Sequence, residues 1–245
     1  MNRSRFQREL MDNKTNGRYT LTFIIALAVA INCTKSKSTT EGILTFTLGN
    51  IIIERSGEKI SAKTGDSIQK GDTLRSGEKS AAIVEFGEEE AVIEIQSNSE
   101  FSFLDTGKNK EFMLSSGRSW LKSAKLKKDG TLNLKTPTTV AGVRGTKFFT
   151  SVVGDMTLTC HCEGEIDLKN LSNNSGRVND RDYLAIVKKD KIVYVFPEDL
   201  KALNIPYTHD HSELGSSKLG EQNRLSNEQF VIMMRLAEKK FQELK

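Results

Sequence analysis

The sequence is poor in the residues that support covalent and metal chemistry. It has three cysteines, three histidines, three prolines and one tryptophan in 245 residues. It contains no Gly-x-Ser-x-Gly elbow, phosphate-binding glycine loop or dinucleotide fingerprint. A Ser-His-Asp triad needs a histidine held in a cleft with its partners, and nothing in the sequence points to one. The composition therefore argues against an enzyme and predicts no bound cofactor.

The net charge of +4 is concentrated at the N-terminus. Residues 1–32 carry five basic and two acidic side chains, a balance of +3, so about +1 is left for the rest of the chain. A basic segment at 122–128 contains no aromatic residues that could stack on bases. Nucleic acid is therefore not a predicted partner.

An apolar run at residues 19–31 follows a basic N-terminal segment. Its length suits the hydrophobic region of a signal peptide and is short for a membrane span of about 20 residues. Cys33 comes directly after this run and is followed by a polar stretch. This arrangement resembles a lipobox, similar to the looser lipoboxes of spirochaetes.

We therefore predict a signal peptide at 1–32 and a lipidated Cys33 with a polar tether at 33–41. Acylation would attach the exported protein to the membrane through Cys33, so that it faces the periplasm or lies in the outer membrane. The alternative is an uncleaved signal anchor in which Cys33 is unmodified.

Residues 42–170 show the pattern of an all-β domain. Short runs of alternating apolar residues are broken by Gly, Asp, Ser and Asn at intervals of about 8–12 residues, which is typical of a sandwich or barrel. The predicted strands are 50–55, 80–86, 91–95, 100–105, 111–114, 119–121, 131–135, 147–153, 157–160 and 165–168. We expect a β-sandwich or jelly roll, or alternatively a short β-solenoid.

The solenoid alternative depends on a short internal repeat. The sequence RSGEK begins at Arg55 and again at Arg75, with Gly-Asp turns between the two copies. The resulting period of 20 residues is typical of one coil of a solenoid. Recurrence of common turn residues by chance explains two copies equally well.

The most distinctive segment is residues 136–146, TPTTVAGVRGT. Gly142 and Gly145, set among β-branched and aromatic residues, predict a tight β-corner where backbones approach closely. We expect the guanidinium of Arg144 to be held in that corner by backbone carbonyls or a carboxylate. This segment resembles the hallmark of the FecR domain. The Gly-Asp turns at 65–66 and 71–72 and the strand near 164–168 resemble other parts of that family's pattern.

The resemblance implies a non-catalytic module of the bacterial cell envelope that binds, scaffolds or senses an envelope protein or glycan. Gly142, Arg144 and Gly145 would then either define the fold or contact a partner. Signalling members of the family also carry a cytoplasmic segment that acts on a sigma factor. About eighteen residues precede the apolar run here, too few for a folded domain, so a transmembrane signalling regulator is the less favoured alternative.

Residues 171–245 predict a polar linker, a β-hairpin at 183–196 and a C-terminal amphipathic helix. Ser226 and Gln229 have the spacing of a capping box at the start of this helix. Its apolar face is predicted to contain Phe230, Met233 or Met234, Ala237, Phe241 and Leu244. We expect this face either to pack on the β-domain or to dock on a partner.

Two pairs of metal-ligand residue types occur far apart in the sequence. Cys160 and Cys162 would share one face of a strand, and His209 and His211 have the same spacing. Together they could form a tetrahedral site for zinc or another transition metal. The alternative is that the cysteines are buried apolar side chains and the histidines are loop residues.

Overall fold

Strands dominate the computed structural model, which describes residues 41–87, 90–124, 130–179, 184–205 and 227–244. Cys33, the signal peptide, Ser226, His209 and His211 lie outside these ranges. The described residues belong to one compact unit. They form fifteen strands and two helices: β1 Gly42–Leu48, β2 Ile51–Arg55, β3 Glu58–Ser61, β4 Ser67–Ile68, β5 Thr73–Ser76, β6 Ala81–Phe86, β7 Ala91–Ile95, β8 Glu100–Asp105, β9 Asn109–Ser123, β10 Thr131–Lys135, β11 Thr139–Val153, β12 Met156–Asn170, β13 Gly176–Asn179, β14 Leu184–Lys188, β15 Lys191–Val195, α1 Pro197–Lys201 and α2 Asn227–Glu243.

Three long strands, β9, β11 and β12, organise the sheet. Each has 15 residues, whereas strands usually have about five or six. Each strand changes neighbours near its middle. The first half of β9 pairs with β8 and β10 and its second half with β7 and β11. Similarly, the first half of β11 pairs with β10 and its second half with β9. The first half of β12 pairs with β14 and its second half with β13.

These changes of neighbour divide the strands into two layers that share β9, β11 and β12. One layer runs β3-β2-β5-β8-β9-β10-β11-β12-β13, and the other runs β4-β1-β6-β7-β9-β11-β12-β14-β15. Among the pairings between described strands, only β9 with β10 is parallel. The all-β prediction is therefore confirmed as a sandwich with mixed but mainly antiparallel strands, and the solenoid alternative is wrong because a solenoid stacks its coils in parallel.

The RSGEK repeat has no structural counterpart. In the first copy, Ser56 and Gly57 take positive φ angles of 51° and 86° and form the hairpin turn between β2 and β3. In the second copy, Ser76 is the last residue of β5, and Lys79 is the residue with positive φ. The same five letters therefore adopt two conformations, as expected of a chance recurrence.

A cluster of four phenylalanines fills the space between the layers. Phe86 lies on β6 in one layer, and its ring centroid is 5.9 Å from that of Phe103 on β8 and 5.5 Å from that of Phe112 on β9. Phe101 completes the cluster. All four side chains are fully buried. Tilted rings at these distances combine large apolar burial with favourable ring geometry.

Glycines allow the long strands to bend where they pass between layers. Gly117 in β9, Gly145 in β11 and Gly164 in β12 have φ angles of 89°, 63° and 88°. A β-carbon at Gly164 would lie 2.3 Å from the carbonyl oxygen of Gly145 and 2.9 Å from the α-carbon of Thr146. The bends of β11 and β12 are therefore in direct backbone contact, and no side chain fits between them.

We expect Gly164→Ala to destabilise the protein far more than Gly154→Ala. Both glycines have positive φ, but a β-carbon at Gly154 would meet nothing within 4 Å. Gly154→Ala should therefore cost about 1 kcal/mol of unfolding free energy, and Gly164→Ala should exceed about 2 kcal/mol. Urea denaturation measures both values. Equal losses would show that the bends of β11 and β12 do not restrict each other.

The two Gly-Asp motifs form the same kind of turn. The amide of Lys63 donates to the carboxylate of Asp66 at 2.9 Å, and the amide of Gln69 donates to that of Asp72 at 2.8 Å. Asp72 is only 1% exposed and also accepts two hydrogen bonds from Arg55, from Nε at 2.8 Å and Nη2 at 2.7 Å. The second motif therefore adds a bidentate ion pair that joins the turn to β2.

The two turns provide a matched test of this ion pair. Asp72→Ala removes a turn acceptor and leaves Arg55 without its carboxylate, so we expect a loss of about 3 kcal/mol in unfolding free energy. Asp66→Ala removes only the equivalent turn acceptor and should cost about 1 kcal/mol. Thermal or urea unfolding distinguishes the two. A loss at Asp72 no greater than that at Asp66 would contradict a stabilising role for the pair.

Several predicted strands are fragments of longer ones. Residues 111–114 and 119–121 both belong to β9, and 157–160 and 165–168 both belong to β12. Strands β1, β3, β4, β5 and β13 were not predicted, and β13 lies in the segment expected to be a linker. The hairpin is confirmed as β14 and β15, and it extends the sandwich because β14 pairs with β12.

Candidate functional site

Arg144 lies on the solvent side of β11. Its register partner on β12 is Glu165, and a bulge follows between Arg144 and Lys147. In a regular strand one residue separates two buried positions. Because of the bulge, two residues, Arg144 and Gly145, separate the buried residues Val143 and Thr146. Within the described residues the side chain of Arg144 makes no hydrogen bond or ion pair. The prediction that a corner holds its guanidinium is therefore wrong, because the strand continues through the bulge and turns this side chain outward.

Gly142 lies between the side chains of two neighbouring strands. Its register partners are Asn133 on β10 and Asp167 on β12. A β-carbon here would lie 3.3 Å from Asn133 Oδ1 and 3.9 Å from Asp167 Cβ. Gly142 therefore gives these two polar side chains space on the sheet surface.

The threonines of the hallmark segment form a buried hydroxyl network. Thr136 Oγ1 is 2.8 Å from Thr139 Oγ1 and 3.0 Å from Thr157 Oγ1, and Thr138 Oγ1 donates to Thr157 Oγ1 at 2.7 Å. Thr136 and Thr139 belong to the turn that joins β10 to β11, whereas Thr157 lies on β12. The network therefore fixes this turn against β12, and most of the hallmark is used for folding.

Stability measurements should separate Arg144 from this network. Arg144→Ala should change the unfolding free energy by less than about 0.5 kcal/mol, because the side chain is exposed and makes no described contact. Thr157→Val keeps the shape but removes the hydroxyl to which both Thr136 and Thr138 are bonded, so we expect a loss of about 1–3 kcal/mol. A loss above 2 kcal/mol for Arg144→Ala would instead assign Arg144 to the fold.

The four predicted metal ligands are only partly described. Cys160 lies in an apolar cluster with Leu184 and Val195, and its sulfur is 4.0 Å from the His161 carbonyl oxygen. The side chains of Cys162, His209 and His211 lie outside the described residues. Where the structure does describe side chains, it contains no group of three or more His, Cys, Asp or Glu residues that could hold a metal. The zinc site therefore remains a prediction.

Helix α2 packs on the outer face of the layer that contains β14 and β15. It buries five of its residues in a second core: Phe230, Met233, Met234, Ala237 and Phe241. Leu158, Leu184, Ile186, Val193 and Val195 form the opposing surface of the sheet. Packing on the β-domain is thus confirmed, except that Leu244 is 42% exposed because it follows the last helical residue.

Two ion pairs attach α2 to neighbouring elements. Lys188 on β14 bonds Glu238 at 2.8 Å, and this hydrogen bond raises the pKa of Lys188. Lys240 lies 3.0 Å from Asp199 on α1. Burial by itself would raise the pKa of Asp199, but the Phe196 amide and Lys240 outweigh it, so the pKa is below its usual value.

The lowered pKa of Asp199 predicts a pH-dependent contribution to stability. A carboxylate with a lowered folded-state pKa stabilises the protein above its unfolded-state pKa of about 3.9, and this contribution disappears as the pH falls through the folded-state value. We expect Asp199→Asn to cost about 0.5–1 kcal/mol at neutral pH, with the difference from wild type shrinking as the pH falls through the folded-state pKa. Urea unfolding of both proteins from neutral to acidic pH measures this difference in unfolding free energy. A difference independent of pH would contradict the ion pair.

A groove lies between α2, the middle of β9 and the C-terminal end of β11. Its volume is about 380 Å³. Its lining is almost entirely apolar and comes from Val153, Phe230, Val231 and Met234 and from the hydrocarbon parts of Arg118, Arg235 and Glu238. The guanidinium carbon of Arg118 lies 4.4 Å from the centroid of the Phe230 ring, within the range of a cation–π contact.

The first half of α2 has more apolar surface than the core covers. Residues 230–234 are the uninterrupted apolar run FVIMM, whereas a surface helix usually has an apolar stripe on one side only. Val231 and Ile232 are 47% and 39% exposed, and Val153 beside them is 36% exposed. The run itself was a sequence signal of this surface. The position of Val153 next to it becomes evident only in the fold.

Part of the β-sandwich matches a known protein family. The family model described as FecR protein matches residues 72–167. This part of the chain is therefore a FecR domain, which confirms the resemblance seen in the sequence. The match includes Asp72 of the second Gly-Asp turn, all four phenylalanines of the cluster and the whole hallmark segment.

The chain is also similar to two crystal structures of a proposed anti-sigma factor from Parabacteroides distasonis ATCC 8503. Each is 11% identical, with a TM-score of 0.43, and each alignment covers 54% of this chain and 62% of the other. No curated protein matches this chain. No helix within the described ranges is long and apolar enough to cross a membrane.

Proposed function

We propose that this protein is a non-catalytic module of the cell envelope that acts by binding another envelope protein, in a regulatory or sensory role. The observation that carries this proposal is the role that the polar residues of the FecR segment have in the fold. Its characteristic polar residues, among them Asp72, Thr136 and Thr157, are committed to turns and buried networks. Recognition is then left to exposed features, chiefly Arg144 and the surface of α2.

The proposed mechanism is presentation of a preformed surface. The two layers share three strands, and both the phenylalanine cluster and the pair of Lys110 with Glu90, at 2.9 Å, connect them. A body joined in this way can hold Arg144 and α2 in fixed positions, which lowers the ordering cost of binding. We favour a protein over a glycan as the partner because the exposed surface of α2 is apolar.

We further propose that acylation of Cys33 places the module at a membrane of the envelope. The intact mass of protein extracted from membranes should correspond to a chain beginning at Cys33 with added acyl groups. Cys33→Ala should lack these groups and leave the membrane fraction. An unmodified full-length mass would contradict the lipoprotein assignment and support a signal anchor instead.

Photo-crosslinking in cells tests whether the module binds a protein. A photoreactive phenylalanine would replace Arg144 or Val231, with Lys59 on the exposed strand β3 as a control on a different surface. We expect a discrete protein adduct from at least one of the two test positions, absent at Lys59 and lost when Cys33→Ala prevents anchoring. Adducts only with glycan, or none at either test position, would overturn the proposed function.

A further inference from the structure

The start of β1 and the bulge of β11 lie at the same end of the sandwich. One line of residues, which we call the tether row, crosses β1, β6, β7, β9 and β11 there: Gly42, Phe86, Ala91, Ser123 and Gly145. The first four are register partners in turn, and the amide of Gly145 donates to Ser123 Oγ at 3.3 Å. Arg144 therefore lies at the end of the sandwich to which the predicted tether, residues 33–41, is joined.

The exposed surface of α2 lies farther from the tether row. Arg118, which lines the groove beside the helix, precedes Ser123 by five residues on β9. At a rise of about 3.3 Å per residue, Arg118 lies about 17 Å along the strand from the row. Arg144 and the surface of α2, the two exposed features to which the proposed function assigns recognition, are therefore at different distances from the row.

Chain length determines which end of the sandwich a lipid anchor would hold close to the bilayer. Cys33 precedes Gly42 by nine residues, and nine residues span at most about 30 Å whatever their conformation. Strand β1 then runs from Gly42 away from the tether row to Leu48, about 20 Å farther. Acylation of Cys33 would thus keep the tether row nearest the membrane and the opposite end of β1 farther out.

The charges beside the tether row favour a protein over lipid headgroups as the partner of Arg144. Three carboxylates lie at this end, those of Glu41, Glu85 and Glu165. Anionic headgroups would repel them. The side chain of Arg144 is exposed and makes no hydrogen bond or ion pair with a described residue. Its planar guanidinium can bind one carboxylate through two parallel hydrogen bonds, and a protein segment can present a single carboxylate, whereas a bilayer presents its charge to the whole end.

We propose that the tether row faces the membrane and that Arg144 binds a carboxylate on a membrane-embedded partner protein, in a segment just outside the bilayer. The groove beside α2 lies farther from the membrane and takes no part in this contact. This inference rests on the proposed function, because it requires an acylated Cys33 and a protein partner. It adds the orientation of the module and the part of the partner that the module recognises.

The orientation is tested with the acylated full chain in vesicles that carry a fluorescence quencher on their lipid headgroups. A fluorescent amino acid replaces Arg144, Val231 in the groove, or Glu78 in the turn before β6 at the far end of β1. Quenching at the Arg144 position should exceed that at the other two by about twofold or more, because they lie roughly 15–20 Å farther from the headgroups. A second copy of residues 34–41 inserted before Gly42 should weaken it. Equal quenching at the three positions would overturn the inference.

Photo-crosslinking in cells tests the partner. A photoreactive phenylalanine at Glu165, the register partner of Arg144, should capture a protein with membrane-spanning segments, and mass spectrometry should place the cross-linked peptide next to one of them. Arg144→Glu should lower co-purification of this protein by about tenfold or more. Lys59→Glu, the same charge change at an exposed position of β3, should leave it unchanged. Adducts with lipid alone, or with a protein that has no membrane-spanning segment, would overturn the inference.

The outcomes separate this inference from the proposed function. Equal quenching at the three positions of an acylated protein, together with a protein adduct from Val231, would overturn the inference and leave the proposed function standing. A Cys33 without acyl groups would overturn both the orientation and the lipid anchor. An unchanged melting temperature of Arg144→Glu would show that its loss of co-purification is not caused by unfolding.

Discussion

The structure depends on three strands that each belong to both layers of the sandwich. A strand can do this only where its backbone bends, and β9, β11 and β12 bend at glycines with positive φ. At the contact of Gly145 with Gly164 the two backbones leave no room for a β-carbon. The rest of the fold follows from these bends, since they bring Phe86 of one layer against Phe103 and Phe112 of the other.

This constraint explains why the FecR hallmark is mainly a folding signature. The segment holds the turn into β11, the bulge of that strand and one of the three bends. Its threonines bond one another inside the protein, and its glycines provide space for neighbouring groups. Arg144 is the exception. Its side chain is exposed and contributes no described contact to the fold.

The sequence predicted local structure better than the way the strands connect. Strand β10 was predicted with its observed bounds, and the buried face of α2 was predicted from its periodicity. The sequence prediction divided β9 and β12 into two strands each, because a glycine that ends a strand and one that bends it leave the same local pattern. Strand β3, whose residues are all exposed, has no apolar alternation to mark it.

The candidate site shows a similar limit. The apolar run at 230–234 was visible in the sequence, but the groove also requires Val153 and Arg118, which precede it by about eighty and one hundred residues. Their proximity to α2 follows from the pairing of β9 with β11 and from the packing of the helix on β14 and β15. A local sequence pattern contains no information on contacts between residues so far apart. The exposure of these side chains is known only from the fold.

Because its two layers share three strands, the module should behave as one rigid body that presents its surface without an internal hinge. Native-state hydrogen exchange with increasing denaturant tests this claim directly. The amides in both halves of β9, β11 and β12 should exchange through a single global opening, with the same free energy and the same denaturant dependence. If the β8–β10 side and the β14–β15 side opened separately, the layers would be distinct units. The protein would then transmit a conformational change instead of presenting a fixed surface.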